Sequence, residues 1–596
     1  HHVVLQWCVK QVSADATFLY NSVDDLLCVD IILMMKKQVN FKRTPLEQKR
    51  DAIKQNIQKM KSNLTRVRTN LGDTTQLPEL SLSELQRRIH DRSVTPLDIL
   101  HAFQSKVIEL YEKGNAGICE FILEAEQQAS QLKDIDANIS DLYGIPVSIK
   151  ELCGVTGYDV TFGLLKFCHQ PENEDCVLVQ VLKEAGAIPF VLTATSQMAL
   201  CTSGINPLFG DMRNPYSKNH EPGGSSSGEG VLLAQNGSPI GFGSDLAGSI
   251  RIPCAFCGLA GLKPTAQRIS ARGSKYCFDD ATVGLKVCVG PMGKCVDDLA
   301  KSMRTLLRPS MFLLDPNIPV MPFDDSVYAG KDKCKLTVGY YDTVNDPNLI
   351  QTVPSVRRVV KQALDILQSR GYTVVMFNPP EPQKALSLGL HALTVDGGQA
   401  LRKVLDDEPL NEETKGLKQL VSIPDFLRLV VDTAARSFVG KPAAMAQYVK
   451  KMSSVSELMH LINQIDTYRR QFFKAWCAAG GLDVVVCPVW SFPAYEVGTP
   501  IHFVSPSLIY SILYNLLDYP AGVVPMGKVN NNDIENSKLL EEEYKKSGDE
   551  YNQKLMQQQS NSKGLPLSVQ VVGKPYREEL VLRVMRELEE GQQMAE

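Results

Sequence analysis

The chain has 596 residues, with 44% apolar and 22% charged side chains, a formal net charge of −4 and 15 cysteines. That length is enough to bury a large core, and the composition excludes a disordered or disulfide-stapled chain. The mild acidic balance gives no electrostatic footprint for a nucleic acid partner.

The cysteines are odd in number and scattered, which reads as reduced, intracellular usage. The one close pair, Cys254 and Cys257, lacks a second pair or a histidine at zinc-ligand spacing, so no metal or cofactor is expected. The chain opens at His1, not Met, which leaves room for an upstream segment. Residues 23–35, VDDLLCVDIILMM, are too short and too acidic to span a bilayer, and no secretory signal is visible.

The first clear element begins at Thr44-Pro45-Leu46-Glu47, an N-cap, a first-turn proline and a capping-box glutamate. Ile53, Ile57, Met60, Leu64 and Val67 then form one apolar stripe on a basic helix. Two readings stay open for that stripe: packing across the domain or a dimer partner, and docking on a membrane surface. Ser81–Glu84 and Thr95–Asp98 repeat the start signal, so 44 to about 135 is expected to be mainly helical.

From Tyr143 the texture changes. YGIPVSIK, ending at Lys150, and AIPFVLTAT (187–195) read as buried strands. Residues 206–265 are rich in Gly, Ser and Pro, yet VLLA (231–234) and IRIPCAFCGLAGL (250–262) argue for a tightly turned core and against disorder. KLTVGYY (335–341), a helix near 354–370 and YTVVMF (372–377) form a β-α-β unit. DVVVCP (483–488), LSVQVVG (567–573) and a helix after Arg577 follow. Alternating strands and helices indicate an α/β fold with a covered sheet. Residues 529–563 are polar and are expected to be a surface insertion, and no internal repeat is visible.

Chemistry concentrates in EPGGSSSGEGVLLAQNGSPIGFGSDLAGSIRIPCAFCGLAGLKPT (221–265). Ser225 and Ser249 each sit in a glycine-rich turn, where backbone N–H groups can converge on an oxyanion, each donor contributing about 3–4 kcal/mol. Lys150, at the end of an apolar strand, is placed to lose solvent and become a base. Asp245 and Arg251 flank the Ser249 turn as a scaffolding ion pair. Gly224-Ser225-Ser226-Ser227-Gly228 also satisfies G-x-S-x-G, which would make Ser226 the nucleophile of an elbow. That motif needs a preceding strand and a histidine from His391, His460 or His502. A phosphate-cradling loop is a third reading, but the lysine after the last glycine of a P-loop is absent.

The order of these parts resembles the amidase signature family. Its GGSS…GSIR…P…CG…GLKPT pattern recurs as Gly223-Gly224-Ser225-Ser226, Gly248-Ser249-Ile250-Arg251, Pro253, Cys257-Gly258 and Gly261-Leu262-Lys263-Pro264-Thr265. YGIPVSIKE, GPMGKCVDDLA (290–300), DYPAGVVP (518–525) and GLPLSVQVVG (564–573) extend the likeness over roughly residues 80–590. PLFG (207–210), VDGG (395–398) and YNLLDYPAGVVP (514–525) resemble the family's fatty-amide-cleaving animal branch.

The resemblance implies a central twisted mixed β-sheet covered by helices on both faces, with an N-terminal helical segment (1–79) and a catalytic domain (80–596). It assigns Ser249 as nucleophile, Ser225 as bridging serine after a cis peptide, and Lys150 as base. The oxyanion hole would be the N–H groups of Leu246, Ala247, Gly248 and Ser249, and substrate would meet Met198, Leu200 and Ser226. The implied reaction is hydrolysis of a lipid amide through an acyl-enzyme, on the cytosolic side of endomembranes such as the endoplasmic reticulum, by a homodimer.

Two departures stand out: Ala247 and Ser227 replace glycines of the family pattern. A positive φ at position 247 would make the extra methyl costly. They keep a weakly active, lipid-amide-binding relative in play as an alternative. An amidotransferase subunit acting on charged tRNA is a further one, disfavoured by the lack of basic excess. Residues 417–439 give a helix–Pro424–helix pattern. Its apolar residues Leu417, Leu420, Val421, Ile423, Phe426, Leu427, Leu429, Val430 and Val431 suit either core packing or a membrane cap, with Lys418 and Arg428 near headgroups.

Overall fold

A computed structural model describes residues 44–67, 75–132, 140–277, 282–331, 335–346, 348–438, 448–449 and 451–595. The acidic stretch 23–35 lies outside them. The chain divides into two units, His1–Gln48 and Lys49–Glu596. Of the first, the described part is the opening turn of a helix, capped reciprocally by Thr44 and Glu47.

The second unit is built on one eleven-stranded mixed sheet. In chain order its strands are β1 (Ile118–Phe121), β2 (Pro146–Lys150), β3 (Ile188–Thr193), β4 (Ile240–Asp245), β5 (Ala260–Lys263) and β6 (Cys288–Gly293). There follow β7 (Thr337–Tyr340), β8 (Thr373–Met376), β9 (Val484–Pro488), β10 (Ala521–Lys528) and β11 (Pro566–Gly573). They lie in the order β1-β3-β2-β4-β6-β5-β10-β11-β9-β7-β8. Strands β3, β2 and β4 run parallel at one side and β9, β7 and β8 at the other, with antiparallel pairs between. Helices cover both faces, so β2, β3, β4 and β11 are buried along their whole length.

Local signals set most elements. Thr95 and Asp98 close a full capping box on the helix Pro96–Glu112, and Ser81 caps Leu82–His90. The β-α-β unit forms as β7, the helix Pro354–Ser369 and β8. The described part of 44–135 is mainly helical, as expected; the exception is the short strand β1, which pairs with β3. The polar stretch 529–563 is a helical hairpin, Asn531–Ser547 and Glu550–Ser560. It is pinned from below: Arg358 pairs with buried Asp533, and Gln559 accepts from Ser355 N–H and Oγ.

In the long N-terminal helix, Ile53, Ile57, Met60 and Leu64 are buried in the main core, so that stripe packs within its own chain. Lys49 on the same helix reaches Asp159 at 2.8 Å and Glu120 at 3.2 Å, both largely buried. Removing one partner of such a pair strands the others in low dielectric. Lys49→Ala is therefore expected to lower unfolding free energy by about 3–5 kcal/mol, read as an earlier midpoint in denaturant titration. Unchanged stability would show that this contact does not anchor the helix.

Candidate active site

Strands β2 and β4 are parallel neighbours, with Ser148 opposite Gly241 and Ile149 opposite Phe242. Their carboxyl ends therefore lie side by side, the usual position for a site in an open α/β sheet. Lys150 ends β2, and Ser244 and Asp245 end β4.

Lys150 is fully buried, and its Nζ lies 2.8 Å from Ser225 Oγ and 3.0 Å from Ser244 Oγ. No carboxylate pairs with it among the described residues, so little compensates the charged form. Burial pushes the ammonium down from 10.5 to about 7, against weaker opposing fields from Cys153 and Asp245. A lysine so placed can give up and take a proton near neutral pH. Ser244 was not singled out from the sequence; it is visible only once β4 is set beside β2.

Ser225 follows a cis peptide after Gly224, and its carbonyl accepts from Ser196 N–H at 3.1 Å. A Cβ at Gly224 would stand 2.3 Å from the Cys201 carbonyl, which explains the glycine. The two serine loops are tied together where Ser226 N–H donates to Ser249 O at 3.1 Å. Ser249 lines one cavity of about 40 Å³ with Ser225 and Ser244, walled by Leu152, Phe162, Met198 and Leu200. Met198 and Ala199 both hold positive φ, at 63° and 57°.

The turn carrying Ser249 is organised by Asp245. Its carboxylate accepts from Gly248 N–H at 2.8 Å, Ile250 N–H at 3.1 Å and Asn515 Nδ2 at 2.9 Å. Arg251 Nε and Nη2 each approach it at 3.0 Å. Burial alone would raise this carboxyl, but the Arg251 guanidinium outweighs it and holds Asp245 well below the usual carboxylate range. Arg251 also reaches Ser511 O at 3.0 Å and Gln570 Oε1 at 3.2 Å, joining the turn to the C-terminal half.

Several expectations are corrected here. Gly248 N–H, expected to face an oxyanion, donates instead to Asp245 Oδ1 at 2.8 Å. Leu246, Ala247 and Ser249 N–H have no acceptor among the described residues. Ala247 is not at positive φ; that conformation falls on Gly248, at 123°. Ser227 begins the helix Ser227–Ala234 with its hydroxyl toward Ser203 O. Ser226 is not among the residues lining the cavity, and its hydroxyl donates to Ser244 O at 3.3 Å. The segment before it is not a strand, and His391, His460 and His502 do not line this cavity, so the elbow reading has no support. Cys254 and Cys257 thiols donate to separate carbonyls, Ala260 O and Pro222 O.

The chain matches the Amidase family over residues 98–582. It is 36% identical over 520 residues to fatty-acid amide hydrolase 1 of Sus scrofa, covering 87% of this chain and 86% of that protein. It is 34% identical over 521 residues to fatty acid amide hydrolase 1 of Caenorhabditis elegans, covering 86% and 88%. A solved structure described as fatty acid amide hydrolase shares the fold, with TM-score 0.72 at 23% identity over 92% of this chain and 94% of that one.

The geometry separates two adjacent positions. A Cβ on Gly248 would fall 2.7 Å from Ile252 Cδ1 and Ser511 Oγ, at a φ that L-residues avoid. Gly248→Ala is expected to lower activity at least tenfold and to destabilise the fold by about 1–3 kcal/mol. Ala247→Gly should change stability by less than about 1 kcal/mol. Paired kinetics and denaturation check both; equal effects would contradict the assignment of the strained position.

Proposed function

The chain belongs to the amidase signature family and is an amide hydrolase, and on that premise we propose that Ser249 is its nucleophile, relayed through Ser225 to Lys150, with fatty acid amides as substrates. The observation that carries the relay is the 2.8 Å contact between Lys150 Nζ and Ser225 Oγ, with no carboxylate in direct contact with that Nζ among the described residues.

Neutral Lys150 takes the Ser225 proton as Ser225 takes that of Ser249, and Ser249 Oγ attacks the carbonyl. The oxyanion is received by the N–H groups of Leu246, Ala247 and Ser249. The proton returns through Ser225 to the leaving nitrogen, which departs as an amine. Water enters by the same relay and frees the acid from Ser249. Because Ala247 carries no positive φ, the departure from glycine there gives no reason for a merely binding role.

The apolar wall of Leu152, Phe162, Met198 and Leu200 suits an acyl chain, and the relatives' names point the same way. A membrane source for that substrate is supported by the helix Asp425–Phe438. There Phe426, Leu429 and Val430 are 78%, 71% and 63% exposed, while Arg428 and Asp432 are buried. This inverts the ordinary soluble pattern and suits the interface plane of a bilayer. Val421 is core and Lys418 pairs with Asp406, so the docking face is narrower than residues 417–439 and excludes Arg428 as a headgroup contact. No helix among the described residues is long and apolar enough to cross a membrane. A homodimer on endomembranes completes this reading.

A fluorophosphonate probe followed by peptide mapping tests the nucleophile. The label is expected on Ser249 and absent from Ser249→Ala; a label on Ser226 overturns the proposal. For docking, Phe426→Asp combined with Leu429→Asp should cut sedimentation with phosphatidylcholine–phosphatidylserine vesicles at least tenfold, with esterase activity on a short soluble substrate retained. Undiminished vesicle binding would remove this face from the account.

A further inference from the structure

The relay leaves one buried carboxyl unexplained. Glu229 is the third residue of the helix Ser227–Ala234 and is fully buried. Its Oε2 accepts from Ser148 Oγ at 2.6 Å and its Oε1 from Thr193 Oγ1 at 2.8 Å. Ser148 lies two residues before Lys150 on β2 and therefore on the same face. Thr193 is the residue paired with Lys150 across β2 and β3. Strand β4 closes the other side: a Cβ on Gly241 would stand 2.0 Å from Glu229 Oε2. The carboxyl is thus boxed beneath Lys150 by both neighbouring strands, with no ion-pair partner among the described residues. Such burial carries a cost of several kcal/mol unless the group is neutralised or balanced.

We infer that Glu229 is a positioning residue for the relay, its carboxylate facing Lys150 from below and stabilising the ammonium that forms when neutral Lys150 takes the Ser225 proton. The inference rests on the reading of Lys150 as the base. Burial raises the Glu229 carboxyl to about 7, the two hydroxyls and Lys150 pulling it back, while burial brings Lys150 down to about 7. The two groups therefore lose their protons over overlapping ranges.

The other groups facing Lys150 are already engaged. Asp245 is neutralised by Arg251, Glu151 accepts from Thr161 N–H and Oγ1, and the Cys153 thiol packs on Cys176. Besides Lys150, the groups near Glu229 are the thiols of Cys153 and Cys254. A negative charge facing the lysine stabilises its ammonium form. Removing that charge lowers the lysine's proton affinity, so the active base persists to lower pH.

The test is the pH dependence of kcat/KM on a fatty acyl p-nitroanilide for wild type, Glu229→Gln, Thr193→Val and Lys150→Met. Glu229→Gln is expected to move the acidic limb down by less than about one pH unit, because Glu229 is itself partly protonated across that range. Relative to its own plateau it becomes faster on the acid side, by less than about tenfold. Thr193→Val removes one donor from the carboxylate and should move the limb less, in the same direction. A lowered plateau with an unmoved limb in Glu229→Gln overturns the inference, since a structural role alone predicts that. If Glu229→Gln does not fold, an unmoved limb in Thr193→Val overturns it instead. A limb that survives in Lys150→Met refutes the base assignment itself, a failure distinct from that of Glu229.

Discussion

The arrangement depends on one carboxylate. Asp245, at the end of β4, binds Arg251 and three backbone or side-chain donors of the Ser249 turn and its surroundings. Buried ion pairs often add little net stability, since desolvation offsets the Coulombic gain. Their use here is geometric. By engaging Gly248 N–H and Ile250 N–H, Asp245 fixes the turn so that Leu246, Ala247 and Ser249 N–H are left without protein acceptors. Through Arg251 the same carboxylate reaches Ser511, Asn515 and Gln570, so residues distant in sequence hold one turn.

Opposite that turn stands a lysine with the contrary environment. Asp245 keeps its charge because Arg251 balances it, whereas among the described residues Lys150 is hydrogen-bonded to the hydroxyls of Ser225 and Ser244 and to no carboxylate. One sheet end thus carries a fixed anion and a lysine that loses its proton near neutrality. Strand pairing produces both: β2 and β4 are parallel neighbours buried on both faces, so their ends share a dry environment. The cavity they border is walled by apolar side chains, and the helix Asp425–Phe438 exposes apolar side chains at Phe426, Leu429 and Val430.

Much of this was legible in the sequence, wherever the signal was local. The caps at Thr44, Ser81 and Thr95, the lysine strand and the β7-helix-β8 unit follow from periodicity and capping chemistry. The serine turns followed from glycine spacing together with family resemblance. What escaped depended on partners far along the chain. Strand β1 owes its conformation to β3, and Ser244 gains meaning only beside Lys150. Glu229 is hidden in SGEGVLLA, where its neighbours suggest an ordinary apolar segment. The hairpin at 531–560 looked like a solvated insertion because Asp533, Ser537 and Gln559 are polar, yet all three are buried. Composition cannot show that a polar side chain has found a partner.

The central claim is that Lys150 is a neutral amine in the working enzyme. Nuclear magnetic resonance of the protein carrying ¹³Cε-labelled lysine measures this directly, with the Lys150 signal assigned by its loss in Lys150→Met. The account predicts a titration midpoint near 7, well separated from the surface lysines, with the neutral form dominant above it. A midpoint at the ordinary lysine value near 10.5 would contradict it, because Lys150 would then hold its proton throughout the neutral range and have no capacity to start the relay.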